Sequence, residues 1–418
     1  MNDNSIQILD LSKPKLKMLN NQIKSKKSNF NNSIKSNKEK LTKKKTQPPK
    51  SSKKIRNIGV DFIRMIAMNG IIINHLVYQG KGVQKFSKYE KQIVLLNSLF
   101  FWHNNGFILI SGFVGYKTNK YANLLYLWLC SILYSVGICI YFTKIRPHSS
   151  KKYNISREYF PIIYERYWYF TIYFGMYLFL PVINKGISLL TKAEFKLLIA
   201  SFIGIFSFWE NYKGNRRDPF KINRGYSIVW FFCLYLTGAY MGKYRPNYKG
   251  IKKFIFCIIC LLIYGFATFL YYKMINNELN FGEGFLGSKI KVILNQIFNL
   301  NLNSVLKVAQ SIPICLFALQ INFNKYIGRI ISFCGPLNFG VYLIHINTIF
   351  SRNILANIFN KYTNNYSLSS AILLILLNDL KIYFFCICVD YFRYIIFEIL
   401  RIRKICNFLE KMIFKFMS

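Results

Sequence analysis

Residues 57–79 read NIGVDFIRMIAMNGIIINHLVYQ, an apolar run interrupted by only a few polar side chains. About 20 predominantly apolar residues form a helix long enough to cross the hydrocarbon core of a bilayer. Runs of this kind recur along the 418 residues, of which 53% are hydrophobic. This recurrence predicts an all-α integral membrane protein, folded as a bundle of about ten transmembrane helices. The predicted segments are 57–79, 93–116, 121–143, 167–184, 195–209, 226–242, 251–272, 304–322, 328–350 and 370–397.

The two ends of the chain differ from the apolar part in composition. Residues 1–56 contain 16 Lys and Arg against 3 Asp and Glu, with few apolar side chains. Such a segment cannot bury enough apolar surface to fold alone, so we expect a disordered cytosolic tail that lies on anionic lipid. A second, short basic cytosolic tail is expected at residues 401–418. The transmembrane domain is then expected to occupy residues 57–400.

The formal net charge of the chain is +41. An excess of basic residues is typical of nucleic-acid-binding proteins. Here the basic residues lie in the tail and between the apolar runs, where they would face lipid headgroups. We therefore expect the basic residues to contact the lipid bilayer, and we expect no nucleic-acid partner. An even number of spans places both termini in the cytosol, in the plasma membrane or a secretory-pathway membrane. This orientation depends on the basic tail, because the loops alone carry no charge bias.

Ten cysteines are present, and most of them fall within the apolar runs, where Cys packs as a small hydrophobic residue. Cys257 and Cys260 form a C-x-x-C motif. No second pair and no neighbouring histidine accompanies it, so no metal site is expected.

The first segment carries three ionisable residues, Asp61, Arg64 and His75. An ionisable side chain in a membrane helix is costly, so it is a functional candidate by default. Asp61 and Arg64 are three residues apart and can touch. Arg64 and His75 are eleven residues apart, which places them on one helix face about 16 Å from each other. Arg64 would then lie near the cytosolic surface and His75 near the middle of the membrane.

Two interpretations of this face remain open on physical grounds. In the functional one, the Arg64 guanidinium holds a phosphate or carboxylate, and the His75 imidazole takes a proton from an attacking hydroxyl. In the structural one, Asp61 and Arg64 form an interfacial ion pair and His75 is a hydrogen-bonded residue of the bundle.

Other segments carry polar residues with similar alternatives. In the second, His103 and Asn105 could line a cavity, and the Ser111–Gly112 pair permits close helix approach. In the ninth, a proline and two glycines indicate a bent helix, and His345 in the same segment either faces a ligand or makes a hydrogen bond within the bundle. In the last, we expect Asp390 and Arg393 to form a structural pair, and the helix to tilt or break near 378–379.

Five elements occur in a fixed order along residues 55–400. They are Asp61…Arg64…His75, residues 106–113 (GFILISGF), 167–181 (YWYFTIYFGMYLFLP), 230–240 (WFFCLYLTGAY) and 340–345 (GVYLIH). In this order they resemble acyltransferase family 3 of membrane proteins, and in particular the branch that O-acetylates surface polysaccharides.

The resemblance implies transfer of an acyl group, usually acetyl, from acetyl-coenzyme A to a hydroxyl of a carbohydrate or glycan. No cofactor would be bound, since acyl-CoA is consumed as the donor substrate. By the same resemblance His75 is the catalytic residue with Arg64, and the donor contacts are Arg64, Lys117 and Lys120. Some family members have several arginines where this chain has the two lysines. The residues implied in substrate binding are Asp61, His103, Asn105, Trp168, Tyr342 and His345.

A different class of function fits some of the same features. A multi-pass transporter or lipid-linked glycan flippase also has charge within the membrane and broken helices. The two halves of the sequence show no internal repeat, which counts against this alternative.

Overall fold

The computed structural model describes residues 57–118, 120–145, 153, 155–213, 218–246, 248–276, 278, 285–356, 358–360, 362 and 366–417. The predicted tail at 1–56 lies outside the described residues. Within them, every regular element is helical, which confirms the all-α class.

The helices of eight or more residues are numbered in chain order. They are α1 (Ile58–Tyr78), α2 (Glu90–Ser98), α3 (His103–Gly115), α4 (Tyr121–Ile140), α5 (Trp168–Leu178), α6 (Leu180–Leu189), α7 (Lys192–Ile203), α8 (Ile228–Lys243), α9 (Gly250–Ile275), α10 (Phe285–Ile297), α11 (Val305–Ala318), α12 (Lys325–Cys334), α13 (Asn338–His345), α14 (Leu368–Ile399) and α15 (Ile402–Met417). Shorter helical turns lie between them at Gly82–Lys85, Ser87–Tyr89, Tyr141–Ile145, Ile155–Arg157, Gly204–Trp209, Glu210–Tyr212, Asn223–Gly225, Gly335–Leu337, Thr348–Phe350 and Ser351–Leu355.

Six helical segments in the described ranges are long and apolar enough to cross a membrane. They are Ile58–Tyr78, Ser87–Gly115, Tyr121–Ile145, Gly250–Ile275, Lys325–His345 and Leu368–Ile399. The pair α5 and α6 is bent by 58° and makes a seventh if it counts as one span. The chain is therefore a multi-pass membrane protein.

The predicted number of about ten spans is not confirmed. Two of the remaining predicted segments correspond to α8 and α11, which are apolar but contain only 16 and 14 residues. At 1.5 Å per residue these helices are roughly 24 Å and 21 Å long, shorter than the hydrocarbon core of about 30 Å. Another corresponds to α7, which has 12 residues before a π turn.

The two predicted irregularities have different outcomes. In the ninth segment a 3₁₀ turn at Gly335–Leu337 separates α12 from α13, within a range that still forms one candidate span, so the α-helix is interrupted there and the predicted bend stays a prediction. The last segment does not break: α14 is continuous over 32 residues. The Asn378 amide donates to the Leu374 carbonyl one turn earlier (2.7 Å), so this polar side chain is satisfied without interrupting the helix.

Helices α3 and α8 are in contact through their backbones. A Cβ atom at Gly112 would collide with the carbonyl oxygen of Tyr235, and one at Gly238 would collide with that of Leu109. Only glycine permits this approach, since a backbone carbonyl cannot move aside as a flexible side chain can. The close approach predicted from Ser111–Gly112 is confirmed.

Asp390 and Arg393 form the predicted structural pair inside the bundle. Arg393 donates from Nε to Asp390 Oδ1 (2.9 Å) and from Nη2 to Oδ2 (2.6 Å). The Tyr134 hydroxyl on α4 donates to Asp390 Oδ1 (2.7 Å), and Arg393 Nη1 donates to the Tyr126 hydroxyl (2.6 Å). This network fastens α14 to α4.

Candidate active site

One cavity of about 730 Å³ opens between α1, α3, α5 and the segment that contains α13. Arg64 and His75 of α1 both line it, so it extends along at least three turns of that helix. The other predicted residues on its wall are His103, Trp168 and Tyr342. The structure thus brings together, around one space, five predicted residues from four helices.

An ion pair with Asp61 holds the Arg64 side chain on the cavity wall. Helix α1 begins where the Asn57 side chain accepts a hydrogen bond from the Gly59 amide (3.0 Å). One turn later Asp61 is 1% exposed, and its Oδ1 lies 3.1 Å from Arg64 Nη1. Gly335 lets the neighbouring 3₁₀ turn approach, because a Cβ there would lie 2.5 Å from Asp61 Oδ1. Asp61 therefore orients Arg64 and does not itself line the cavity.

His75 lies in the last turn of α1, three residues before the helix ends at Tyr78. The imidazole is therefore near the C-terminal end of the helix, and its predicted depth near mid-membrane stays a prediction. Its Nδ1 lies 2.9 Å from Gln79 Oε1. An amide oxygen accepts hydrogen bonds and does not donate, so Nδ1 carries the proton and Nε2 keeps its lone pair. His75 is half-buried on the cavity wall, with Nδ1 bonded to Gln79 and Nε2 as the nitrogen that can accept a proton.

Gln79 is a site residue that the sequence analysis missed. Its Oε1 also accepts a hydrogen bond from Ser351 Oγ (2.9 Å), which fixes the amide in place. Gln79 lines the cavity one turn beyond His75. The signal was available, since residues four apart on a helix are neighbours.

His345 lies behind His75 and outside the cavity lining. The two imidazole rings are 5.4 Å apart between centroids and nearly perpendicular, at 78°. His345 Nδ1 lies 2.6 Å from the Val341 carbonyl, so this nitrogen donates. Nε2 is buried and has no hydrogen-bond partner within the described part of the chain. The second histidine thus contacts the first one and not the cavity.

The two candidate site residues of the second predicted segment, His103 and Asn105, lie in different surroundings. His103 lines the cavity, whereas Asn105 is buried outside it and donates to the Leu302 carbonyl (3.0 Å). Asn105 therefore fastens α3 to the loop before α11. Lys307 of α11 is also buried, with its ammonium group 4.0 Å from the centroid of the Phe101 ring.

Aromatic side chains form much of one cavity wall. The Trp168 ring lies 4.7 Å from that of Tyr226, and the Tyr169 ring lies 6.0 Å from that of Tyr342. The Tyr342 hydroxyl accepts a hydrogen bond from the Phe170 amide (3.4 Å). Such a wall suits the apolar faces of an organic ligand, with a few polar groups to orient it.

Arg166 is a second guanidinium on the wall that the sequence analysis did not single out. Its Nη2 lies 2.7 Å from Oε1 of Glu158, a carboxylate that is 2% exposed. The Ser135 hydroxyl donates to the other oxygen of Glu158 (2.5 Å). Arg166 is thus held by a buried acid, as Arg64 is by Asp61.

Lys117 and Lys120 are exposed and lie outside the cavity lining. They flank Thr118, which lines the cavity. The Lys117 ammonium group lies 5.3 Å from the centroid of the Tyr116 ring. Among the residues described, no cluster of three or more His, Cys, Asp or Glu side chains is placed to bind a metal ion.

Comparison with known proteins bears on this arrangement directly. A family model described as an acyltransferase domain, that of acyltransferase family 3, matches residues 57–389. The matched range begins at the cap of α1 and ends within α14, so it contains the whole cavity wall. No curated protein and no solved structure matches the chain. The match covers most of the sequence, and the chain therefore belongs to acyltransferase family 3 and is a membrane acyltransferase.

Proposed function

We propose that this acyltransferase moves an acyl group, most simply acetyl, from acyl-CoA to a hydroxyl of a carbohydrate or glycan. The observation that carries the proposal is one cavity whose wall contains both Arg64 and His75 beside aromatic side chains. A cation, a base and an apolar platform around one space are what this transfer needs.

The donor is assigned to the Arg64 side of the cavity. A guanidinium presents a planar pair of N–H groups that suits the phosphates of coenzyme A. Lys117 and Lys120, on either side of Thr118, would add positive charge outside the cavity. From there the extended pantetheine arm runs along α1 and brings the thioester to His75, about 16 Å away.

The acceptor is assigned to the part of the cavity near Trp168, Tyr342 and His103. With the N-terminus cytosolic, α1 runs outward, so His75 in its last turn lies toward the side opposite the donor. A glycan can then reach the base from that side. Aromatic rings contact the apolar faces of sugar rings, and Arg166 can donate hydrogen bonds to sugar oxygens or carboxylates.

The chemical step uses His75 as a general base. Nε2 takes the proton of the acceptor hydroxyl while the hydroxyl oxygen attacks the thioester carbonyl. A carbon–oxygen bond forms, the carbon–sulfur bond breaks, and the thiolate of coenzyme A leaves. The imidazolium returns its proton to that thiolate, so His75 ends the cycle neutral. Gln79 keeps the proton on Nδ1 throughout and so presents Nε2 to the acceptor.

The proposal is tested on the purified protein in nanodiscs. Incubation with acetyl-CoA and glycans extracted from cells lacking the protein should release coenzyme A and add one acetyl mass, and cells lacking the protein should show the corresponding loss. Longer acyl-CoA donors, tested in parallel, identify the acyl group. Binding or movement of a glycan without any consumption of acyl-CoA would favour the flippase alternative and overturn the proposal.

Replacing Arg64 with lysine tests the donor assignment. Lysine keeps the charge beside Asp61 but loses the paired N–H groups. Hydrogen bonds to charged groups contribute about 1.5–3 kcal/mol, so KM for acyl-CoA should rise about tenfold or more with little change in kcat. Arg166→Lys is the matched control and should change KM for the acceptor instead. Equal effects of the two variants on the donor KM would contradict the assignment.

Replacing Gln79 with leucine tests its role as a positioning residue. The variant removes the acceptor for Nδ1–H, so the reactive tautomer is no longer held. We expect kcat to fall about tenfold, or roughly 1.4 kcal/mol of transition-state stabilisation, with KM values unchanged. Gln79→Glu keeps an acceptor oxygen and should retain most of the activity. If leucine and glutamate are equally damaging, the side chain fills space and does not orient His75.

A further inference from the structure

The C-terminal residues expected to form a short tail instead form a helix, α15 (Ile402–Met417). It begins immediately after α14, which is long enough to cross the membrane and ends at Ile399. Between them Arg401 has φ of 53°, a left-handed conformation that ends one helix and redirects the chain into the next. Helix α15 therefore starts where a candidate membrane span ends.

Helix α15 packs against α4. Near its start the Arg403 guanidinium lies 4.8 Å from the centroid of the Tyr126 ring. Near its end the Phe414 ring lies 6.2 Å from that of Tyr121, the first residue of α4. Residues 403 and 414 are about 16 Å apart along α15, but Tyr121 and Tyr126 only about 8 Å along α4. The two helices therefore cross obliquely near the N-terminal end of α4.

One edge of α15 is apolar and exposed. Ile405, Phe408, Met412 and Phe416 follow one another at intervals of three or four residues, so they share one face of the helix. They are 46%, 64%, 51% and 93% exposed, whereas Cys406, on the side facing the protein, is fully buried. This edge is not covered by the described part of the chain.

A row of lysines borders that apolar edge. Lys404, Lys411 and Lys415 are separated by seven and four residues, which places them within about 40° of one another around the helix. Phe408 is four residues from Lys404 and lies beside the row. An exposed apolar edge bordered by basic residues is the pattern of a helix that lies in a membrane interface.

We propose that α15 is an interfacial helix that binds anionic lipid in the leaflet where α14 ends. The apolar edge enters the acyl-chain region, and Lys404, Lys411 and Lys415 contact the lipid phosphates. Three observations carry this: α15 starts where a span ends, its exposed edge has the composition of a lipid-facing surface, and the cations beside it attract negative headgroups.

The test compares the full-length protein in nanodiscs of phosphatidylcholine with nanodiscs that also contain phosphatidylglycerol. Hydrogen–deuterium exchange of residues 402–417 should slow several-fold when the anionic lipid is present. A variant with Lys404→Gln, Lys411→Gln and Lys415→Gln should lose this difference. A variant with Phe408→Ser and Met412→Ser should exchange faster in both lipids.

The matched control replaces three exposed lysines elsewhere, Lys196, Lys249 and Lys252, with glutamine. It removes the same charge and should leave exchange of residues 402–417 unchanged, as long as the melting temperature shows that each variant is folded. Equal exchange in the two lipids overturns the proposal, and so does an equal effect of the two lysine variants. Protection that appears only with two proteins in each disc would instead assign the apolar edge to a second copy of the chain.

Discussion

Replacing His75 with alanine is expected to abolish measurable acyl transfer while leaving the protein folded in the membrane. A positioned general base contributes about a hundredfold to ten-thousandfold to the rate of proton transfer, and the His75 assignment makes it the base. The effect should fall on kcat, because Arg64 and the aromatic wall still hold the two substrates. The measurement is acyl transfer from acetyl-CoA by the purified protein in nanodiscs.

Two controls make this result interpretable. The melting temperature of His75→Ala should stay close to that of the parent, since the side chain is half-buried and its hydrogen bond goes to an exposed residue, Gln79. His103→Ala removes another imidazole from the same cavity and should act mainly on the KM for the acceptor. Turnover by His75→Ala near the parent rate would refute the mechanism, whatever the effect at His103.

Replacing Asp390 with asparagine is expected to produce the largest loss of stability among single changes to the described polar side chains. Asp390 is fully buried and accepts two hydrogen bonds from Arg393 and one from Tyr134. Removing one charge of a buried pair leaves the other uncompensated, at a cost of about 3–5 kcal/mol. Thermal unfolding of the purified protein, followed by the loss of its monodisperse form, measures the effect.

A double variant separates the pair from the rest of the packing. Asp390→Leu combined with Arg393→Met removes both charges and keeps apolar volume, so it should be much less destabilised than Asp390→Asn. If both are equally unstable, the ion pair is not the origin of the loss. If Asp390→Asn melts like the parent, Arg393 is adequately held by Tyr126 alone.

The helical membrane fold could be predicted from the sequence because bilayer thickness sets a length that apolar runs must match. Residues 57–79, 121–143 and 251–272 meet that length and become α1, α4 and α9. The number of spans could not be predicted in the same way. The apolar residues of α8 are buried inside the bundle. A short helix of this kind has the same composition as a membrane span, so composition cannot distinguish the two.

The part of the candidate site that lies on one helix was also predictable. Helical periodicity alone places Arg64 and His75 on one face, and the structure has both on the cavity wall. The same periodicity connects Gln79 to His75 and arranges the apolar residues of α15, although the high basic content of that segment suggested a tail.

Contacts between distant segments could not be predicted. The burial of Glu158 behind Arg166 joins a loop to the cavity, and the amide of Asn105 turns to the Leu302 carbonyl 197 residues away. Both depend on which loops meet in three dimensions. In the sequence, a polar residue beside aromatic residues looks the same whether its side chain faces a cavity or a loop. The pattern therefore cannot distinguish a ligand contact from a structural hydrogen bond.

The glycine crossing of α3 and α8 constrains how the enzyme can move. With Gly112 and Gly238 holding the two backbones together, neither helix can slide or rotate without a carbonyl clash, so they behave as one rigid body. Admission of a bulky donor and release of coenzyme A then require motion elsewhere on the wall. We expect the motion of α5 against α6 to act as a hinge there, since Leu180 lies on the cavity wall at the 58° break. Turnover is therefore expected to be gated by this hinge, with α3 and α8 as the fixed frame against which it opens.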